Sequence, residues 1–174
     1  MPSGKTHDRI TFLLILPTFF AAYLLTYQLE VSLLATLAML FGGLMFGPDL
    51  DISSRQYYRW GYLRLIWWPY QRLFSHRSIF THGIVVGTVV RIGYFCLVVA
   101  LIALIGFYSL QLFEGKDPNV EALLSNISIQ TTRVIQNIPL NYLIATLVGI
   151  WLGAASHTLA DVITTTFKQI IKSL

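Results

Sequence analysis

The sequence is poor in charged residues and in cysteine. Only 11% of its 174 residues are charged, whereas 55% are hydrophobic, a composition well outside that of a soluble globular domain. The single cysteine, Cys96, lies within an apolar run, which excludes both a disulfide framework and a cysteine-based zinc cage. There is no glycine/serine linker and no GxSxG motif, so activated water is the nucleophile that remains for a hydrolase. We therefore expect a membrane protein in which any metal binds through nitrogen and oxygen.

Four long apolar runs are present, and the first, at about 1.5 Å per helical residue, comes close to the ~30 Å thickness of the hydrocarbon layer. They predict an all-α fold: a four-span transmembrane helical bundle that forms one domain over residues 1–174. The predicted spans are residues 10–28, 31–47, 83–113 and 138–166. Pro17 predicts a kink in the first span, and the first two spans form a tight hairpin. Arg91 interrupts the third span, where its side chain would snorkel if that turn lies near the surface. The stretch Glu114–Asn137 is predicted to be a polar loop.

Residues 55–77, RQYYRWGYLRLIWWPYQRLFSHR, are dense in tyrosine, tryptophan and arginine. Tryptophan and tyrosine favour the headgroup region, and arginine there faces anionic lipid, so we predict an interfacial aromatic and basic loop segment. Basic residues are unevenly distributed between the two predicted sides of the bundle. One side carries Lys5, Arg9, Arg55, Arg59, Arg64, Arg72, Arg77, Lys168 and Lys172, and the other only Lys116 and Arg133. The positive-inside rule then predicts an integral protein of a plasma or inner membrane, or of a thylakoid, whose first side faces the cytoplasm.

The histidines and most of the aspartates belong to that same predicted side. They are His7, His76, His82, His157, Asp8, Asp49, Asp51 and Asp161. An ionisable group within a bilayer costs at least ~2.5–3.5 kcal/mol at the centre unless it is paired or coordinated. Taken singly, each residue has an ordinary explanation, such as an interfacial histidine, a turn at Asp49 or a helix cap at Asp8. Taken together, they predict a shared ligand.

Local spacing supports a metal site. His157 and Asp161 are four residues apart on a predicted helix and so project from one face. Asp49 and Asp51 follow a helix-terminating Gly-Pro pair, and His76 and His82 bracket a predicted helix start. Imidazole and carboxylate without thiolate suit zinc, manganese, iron or nickel better than calcium or magnesium. We predict His7, Asp51, His76, His82, His157 and Asp161 as ligands of one or two divalent ions, with zinc the favoured metal.

The order of these motifs, an early histidine, GPDLD, HRSIFTH and SHTLAD, resembles a known group of families. It is similar to uncharacterised metal-binding membrane proteins related to the LexA-binding inner-membrane-associated metal-dependent hydrolases. Those are in turn distantly similar to zinc-dependent phospholipase C and the single-strand nucleases, which are all-α phosphoesterases with a zinc cluster. The resemblance extends from His7 to Asp161 and implies the same six ligands. The soluble enzymes also use the N-terminal amino group and further histidines to hold three zincs, which the four histidines of this chain do not match.

The resemblance and the residues together favour a metal-dependent hydrolase acting on a phosphoester or lipid-like substrate at the cytoplasmic face. Asp49, or alternatively Asp8, would accept a proton from water, and Arg77 would bind a substrate phosphate. The alternative is a non-catalytic metal-binding sensor, store or scaffold, in which the ligands saturate the metal. A purely structural role stays open, whereas transport is disfavoured because no span carries ionisable residues near its middle. The expected partners are the lipid bilayer and the substrate, with no nucleic acid; the oligomeric state is left open.

Overall fold

The computed structural model describes residues 3–115 and 119–173, and every regular element within these ranges is helical. The all-α prediction is therefore confirmed. The α-helices are α1 (Gly4–Leu13), α2 (Ile15–Thr26), α3 (Leu29–Leu44), α4 (Arg55–Arg59), α5 (Trp68–Leu73), α6 (Ile79–His82), α7 (Val86–Phe113), α8 (Val120–Asn137) and α9 (Leu140–Ser173), with 3₁₀ helices at Pro48–Asp51 and Gly61–Trp67. Four stretches are long and apolar enough to cross a membrane: Gly4–Thr26, Leu29–Asp51, Val86–Phe113 and Leu140–Ile171. Lys116 and Asp117 of the predicted polar loop lie outside the described residues, as does the side chain of Lys172.

The first apolar stretch begins earlier than predicted and is broken. Helix α1 starts at Gly4 because Ser3 caps it, accepting a hydrogen bond from the backbone N–H of Thr6. The break falls at Leu14, between α1 and α2. Pro17 has no N–H to donate to the carbonyl of Leu13, four residues earlier, which accounts for the position of the break. The predicted tight hairpin between α2 and α3 is present, since Tyr27 adopts a left-handed conformation (φ 52°) that reverses the chain.

The aromatic segment between α3 and α6 is folded, and the prediction that it is a loop is wrong. It consists of α4, the 3₁₀ helix Gly61–Trp67 and α5. Trp67 and Tyr70 are completely buried, and the Trp67 ring packs edge to face on Phe46, with centroids 5.5 Å apart. Two of the rings expected in the headgroup region are therefore part of the protein core next to the Pro48–Asp51 turn. Burying a whole aromatic ring in the core removes more apolar surface from water than leaving it at the membrane interface.

The stretch after Gly115 also differs from the prediction. Residues Val120–Asn137 form helix α8, capped by Asn119, whose side-chain oxygen accepts from the N–H of Ala122. Residues up to Ile92 together with those from Asn141 onward form one compact unit, and Gly93–Leu140 form a second. All the candidate ligands belong to the first unit.

Close helix crossings on α3 position the candidate site. A Cβ on Gly153 of α9 would lie 2.1 Å from the carbonyl oxygen of Met39, and one on Gly43 would lie 2.6 Å from the Thr11 side chain of α1. These glycines let backbones approach as small residues do at membrane helix interfaces. His157 is one turn beyond Gly153, and His7 is one turn before Thr11. Both histidines therefore lie at the C-terminal end of α3, next to the Pro48–Asp51 turn.

Candidate metal centre

Four separate elements bring the predicted ligands together at this end of the bundle. Helix α1 supplies His7, the Pro48–Asp51 turn supplies two aspartates, α6 and the loop before it supply two histidines, and α9 supplies a histidine and an aspartate. The resulting side chains are His7, Asp49, Asp51, His76, His82, His157 and Asp161. Three overlapping sets of them have ligand atoms within 4.8 Å of one another: His7 with His157 and Asp161; Asp49 with His82 and Asp161; and Asp51 with His76 and His82.

The first set joins α1 to α9. The Nε2 atom of His7 lies 3.3 Å from Oδ1 of Asp161, and Nε2 of His157 lies 3.9 Å from Oδ2 of the same carboxylate. The two imidazole rings are stacked almost parallel, with centroids 3.5 Å apart. The two side chains therefore hold the start of α1 directly against α9, with Asp161 next to both rings.

Asp49 contacts histidines from two different helices, His157 of α9 and His82 of α6. Its Oδ2 is 3.2 Å from Nε2 of His157, and its Oδ1 is 3.6 Å from Nε2 of His82. Two ligands at ~2.0–2.1 Å from a tetrahedral ion are about 3.3 Å apart, so these spacings fit atoms that share one ion. Asp49, which the sequence predicted as a proton acceptor, thus lies in the position of a ligand. We call His7, Asp49, His82, His157 and Asp161 the central cluster.

Several buried atoms of the central cluster make no hydrogen bond within the described part of the chain. They are Nδ1 of His7, Oδ1 of Asp49, Nε2 of His82, Nε2 of His157 and both carboxylate oxygens of Asp161. Leaving such atoms buried and unpaired is costly, the more so for charged groups. A divalent cation among Asp49, His82, His157 and Asp161 would give each of these four side chains a partner, so the donor set fits a metal bound by imidazole and carboxylate. His7 faces Asp161 with Nε2, its other ring nitrogen.

Asp51 and His76 have a different environment, because they already bond to each other. Nδ1 of His76 is 2.9 Å from Oδ1 of Asp51, and Nδ1 of His82 is 3.6 Å from Oδ2 of Asp51. The side chain of Asp51 is fully buried, whereas that of His76 is one-third exposed. The hydrogen-bond partner of Nδ1 of His82 is the Thr81 hydroxyl, at 3.1 Å, so Asp51 brings negative charge next to His82 without a hydrogen bond to it.

Two further residues support the centre and were not predicted to do so. Gln56 is buried, its Nε2 donating to the carbonyl of Gly43 (2.7 Å) and lying 3.3 Å from Nδ1 of His157. Arg91 does not snorkel: its side chain is buried and donates to the carbonyl oxygen of Thr81, next to His82, and to the Thr88 hydroxyl. No local signal marks Gln56, but an arginine inside an apolar helix is itself an indication of a functional site.

Arg77 and Asp8 lie beside the centre. Arg77 (φ 63°) lines a cavity of about 320 Å³ together with His82, Thr158 and Asp161. The carboxylate of Asp8 binds Arg59 through both oxygens, at 2.8 and 2.7 Å, and also pairs with Arg55. It lines a cavity together with His7, Asp49 and His157, but its charge is already balanced by the two arginines. Ser3, not Asp8, caps the first helix.

Fold and site together define an all-helical protein with a buried histidine and aspartate cluster suited to a metal ion. A family model described as "Uncharacterized metal-binding protein (DUF2227)" matches residues 2–171. The chain therefore belongs to this family, whose description states metal binding and no activity. No curated protein and no solved structure matches the chain.

Proposed function

We propose that this protein is an integral membrane protein that holds a divalent transition-metal ion in the central cluster. The observation that carries the proposal is the set of buried, unpaired ligand atoms on Asp49, His82, His157 and Asp161. The buried carboxylates Asp51 and Asp161 and the partly buried carboxylate Asp49 lie in and beside the cluster. Arg91 offers one positive charge that attracts Asp49 and Asp51. An added cation would balance the remaining negative charge, which burial otherwise makes expensive.

The stoichiometry that the geometry favours is one ion per chain. Asp51 and His76 hydrogen-bond to each other, whereas the unpaired atoms belong to the central cluster. A second ion would need Asp51, His76 and His82 as its ligands, and His82 has two ring nitrogens through which to bridge. Elemental analysis distinguishes one metal ion per chain from two.

The membrane part of the proposal rests on the apolar surfaces of the four long helices. Side chains such as Leu13, Leu25 and Ile105 are 64–84% exposed on helices that carry few charges. Exposed apolar side chains along helices of this length indicate contact with lipid. The excess of basic residues on the side that carries the centre would place that side in the cytoplasm.

The activity that we propose for the centre is hydrolysis of a phosphoester or lipid-like substrate. A bound ion would lower the pKa of a water molecule and polarise a phosphoryl oxygen. The cavity lined by Arg77, His82 and Asp161 supports this activity, since a guanidinium beside metal ligands is suited to hold a phosphate. A second cavity of about 280 Å³ reaches His7, Asp49 and His157. A non-catalytic site would be favoured if the ligands saturate the ion, and the central cluster does offer five side chains.

Metal content per chain tests the proposal. Purified protein should retain about one transition-metal ion by elemental analysis, and His157→Ala and Asp49→Ala should lose it. Asp8→Asn is the matched control, because that carboxylate lies next to His7 in sequence but binds arginine. Protein that holds no metal, and whose melting temperature in detergent is unchanged by chelation, would establish the structural alternative instead. Metal retention without turnover of phosphodiester and phospholipid substrates would establish the non-catalytic one, with His157→Ala as the background.

A further inference from the structure

Two arginines stack on aromatic rings at the surface of the folded segment between α3 and α6. The guanidinium of Arg64 lies over the ring of Tyr58 at 5.3 Å, and that of Arg72 lies over Trp68 at 5.0 Å. Both arginines and both rings are exposed. A cation held against a ring loses little of its charge and keeps its N–H donors available to a further ligand.

No acidic residue balances this charge locally. Residues 52–113 contain six arginines and neither aspartate nor glutamate. Of those arginines, Arg55 and Arg59 pair with Asp8, and Arg91 is buried. Among the described residues, no carboxylate forms an ion pair with Arg64 or Arg72, so their positive charges face outward.

The same surface carries large apolar side chains. Tyr62 is 96% exposed, and Leu63, Leu65 and Leu73 are each more than 60% exposed. Apolar side chains that surround stacked arginines give the surface two properties: it would attract negative charge, and it would bury hydrocarbon. A soluble acidic protein would satisfy the first property, whereas an anionic membrane surface satisfies both.

The position of the segment relative to α3 matches the depth of lipid headgroups. Arg59 donates to the carbonyl oxygen of Leu44, and Trp60 Nε1 donates to that of Met45, each at 2.8 Å. These carbonyls are at the C-terminal end of α3, where the second apolar stretch reaches its polar turn. If α3 spans a bilayer, these two contacts attach the start of the segment, four residues before Arg64, where the hydrocarbon ends.

We propose that the surface formed by Tyr58, Tyr62, Leu63, Arg64, Leu65, Trp68, Arg72 and Leu73 binds anionic membrane lipids. Arg64 and Arg72 contact the headgroup phosphates, and the exposed leucines and Tyr62 enter the adjoining acyl region. The inference rests on the membrane placement proposed above, and it is independent of the metal and of any hydrolase activity.

Quenching of Trp68 by brominated lipids tests the inference. The full-length protein is placed in nanodiscs that contain either brominated phosphatidylglycerol or brominated phosphatidylcholine at equal mole fraction, and a Trp68→Phe protein supplies the background from the other tryptophans. Each basic residue near the surface favours anionic lipid by about fivefold at low salt. Phosphatidylglycerol should therefore quench Trp68 preferentially, and the Arg64→Gln/Arg72→Gln protein should lose most of that preference.

Arg133→Gln is the charge control, since Arg133 is exposed and lies on helix α8 in the other unit. It should leave the preference unchanged, whereas high salt should reduce the preference in the unaltered protein. Equal quenching by the two lipids, or a preference that survives in the double variant, would overturn lipid binding at this surface while leaving the membrane placement intact. Absence of Trp68 quenching by either lipid would also overturn the inference. Quenching of the other tryptophans in the Trp68→Phe protein reports separately on the membrane placement, and the metal content of the same samples reports on the centre.

Discussion

Gln56 connects helix α3 to a central ligand, and replacing it with leucine tests whether His157 binds metal. Its Nε2 donates to the carbonyl of Gly43 and lies 3.3 Å from Nδ1 of His157, while Oε1 is buried without a hydrogen-bond partner among the described residues. A metal-binding histidine donates its other ring N–H to a neighbouring acceptor. A rotation of the Gln56 side chain that keeps Nε2 on the Gly43 carbonyl would present Oε1, an acceptor, to an N–H at Nδ1 of His157. We therefore expect Gln56→Leu to weaken metal binding and Gln56→Glu to preserve it.

The expected size follows from the contacts that leucine would remove. Loss of a partner that orients a ligand typically lowers metal affinity 10- to 100-fold, or by about 1.4–2.7 kcal/mol. Loss of the bond to Gly43 lowers the free energy of unfolding of the metal-free protein by about 0.5–1.5 kcal/mol. The two effects separate, because the first appears in the dissociation constant and the second in the melting temperature without metal.

Competition with a chromophoric chelator measures the affinity, and Gln71→Leu provides a matched control. Gln71 also donates from Nε2 to a backbone carbonyl near the centre, that of Leu50 at 3.1 Å. The control should lose a comparable amount of stability and none of the affinity. If Gln56→Leu binds metal as tightly as the unaltered protein, or if both variants weaken binding equally, the role assigned to Gln56 and the metal-binding role of His157 Nε2 are refuted.

Three other substitutions probe different parts of the centre. Asp49→Asn keeps the shape of a side chain whose oxygens face two histidines but removes its charge. Elemental analysis should find metal retention reduced at least tenfold. Full retention would exclude Asp49 as a ligand. Arg91→Met removes charged hydrogen bonds worth about 1.5–3 kcal/mol each, so the melting temperature should fall even without metal, and a change confined to the metal-bound protein would contradict this account. Gly153→Ala places a Cβ 2.1 Å from a backbone oxygen of α3 and should lower both thermal stability and metal content, whereas Gly106→Ala, which meets nothing within 4 Å, should lower neither.

Much of the local architecture could be predicted from sequence because it depends on local properties. The long apolar runs predicted the candidate spans, and Pro17 predicted a kink in the first of them, where the structure has a break at Leu14. The HxxxD spacing predicted that His157 and Asp161 share a helix face, since four residues make about one turn. The two predicted loops proved to be helical. The burial of Trp67 and Tyr70 depends on tertiary contacts, which the local sequence does not show. In α8, polar residues lie between the apolar ones, so the mean hydropathy of the stretch is low and the stretch was predicted to be a loop.

By itself, the sequence determined the fold class, the candidate spans and the chemical type of the ligands, because hydropathy, helical period and side-chain chemistry are properties of short segments. Tertiary structure alone decided that Asp49 is central, that Asp51 and His76 pair with each other, and that Arg91 is directed inward. These outcomes depend on the crossings at Gly43 and Gly153, which bring together residues as distant in the chain as His7 and Asp161. Contacts between residues so far apart in the chain depend on how closely the helix backbones pack. That packing distance cannot be predicted from a local sequence pattern.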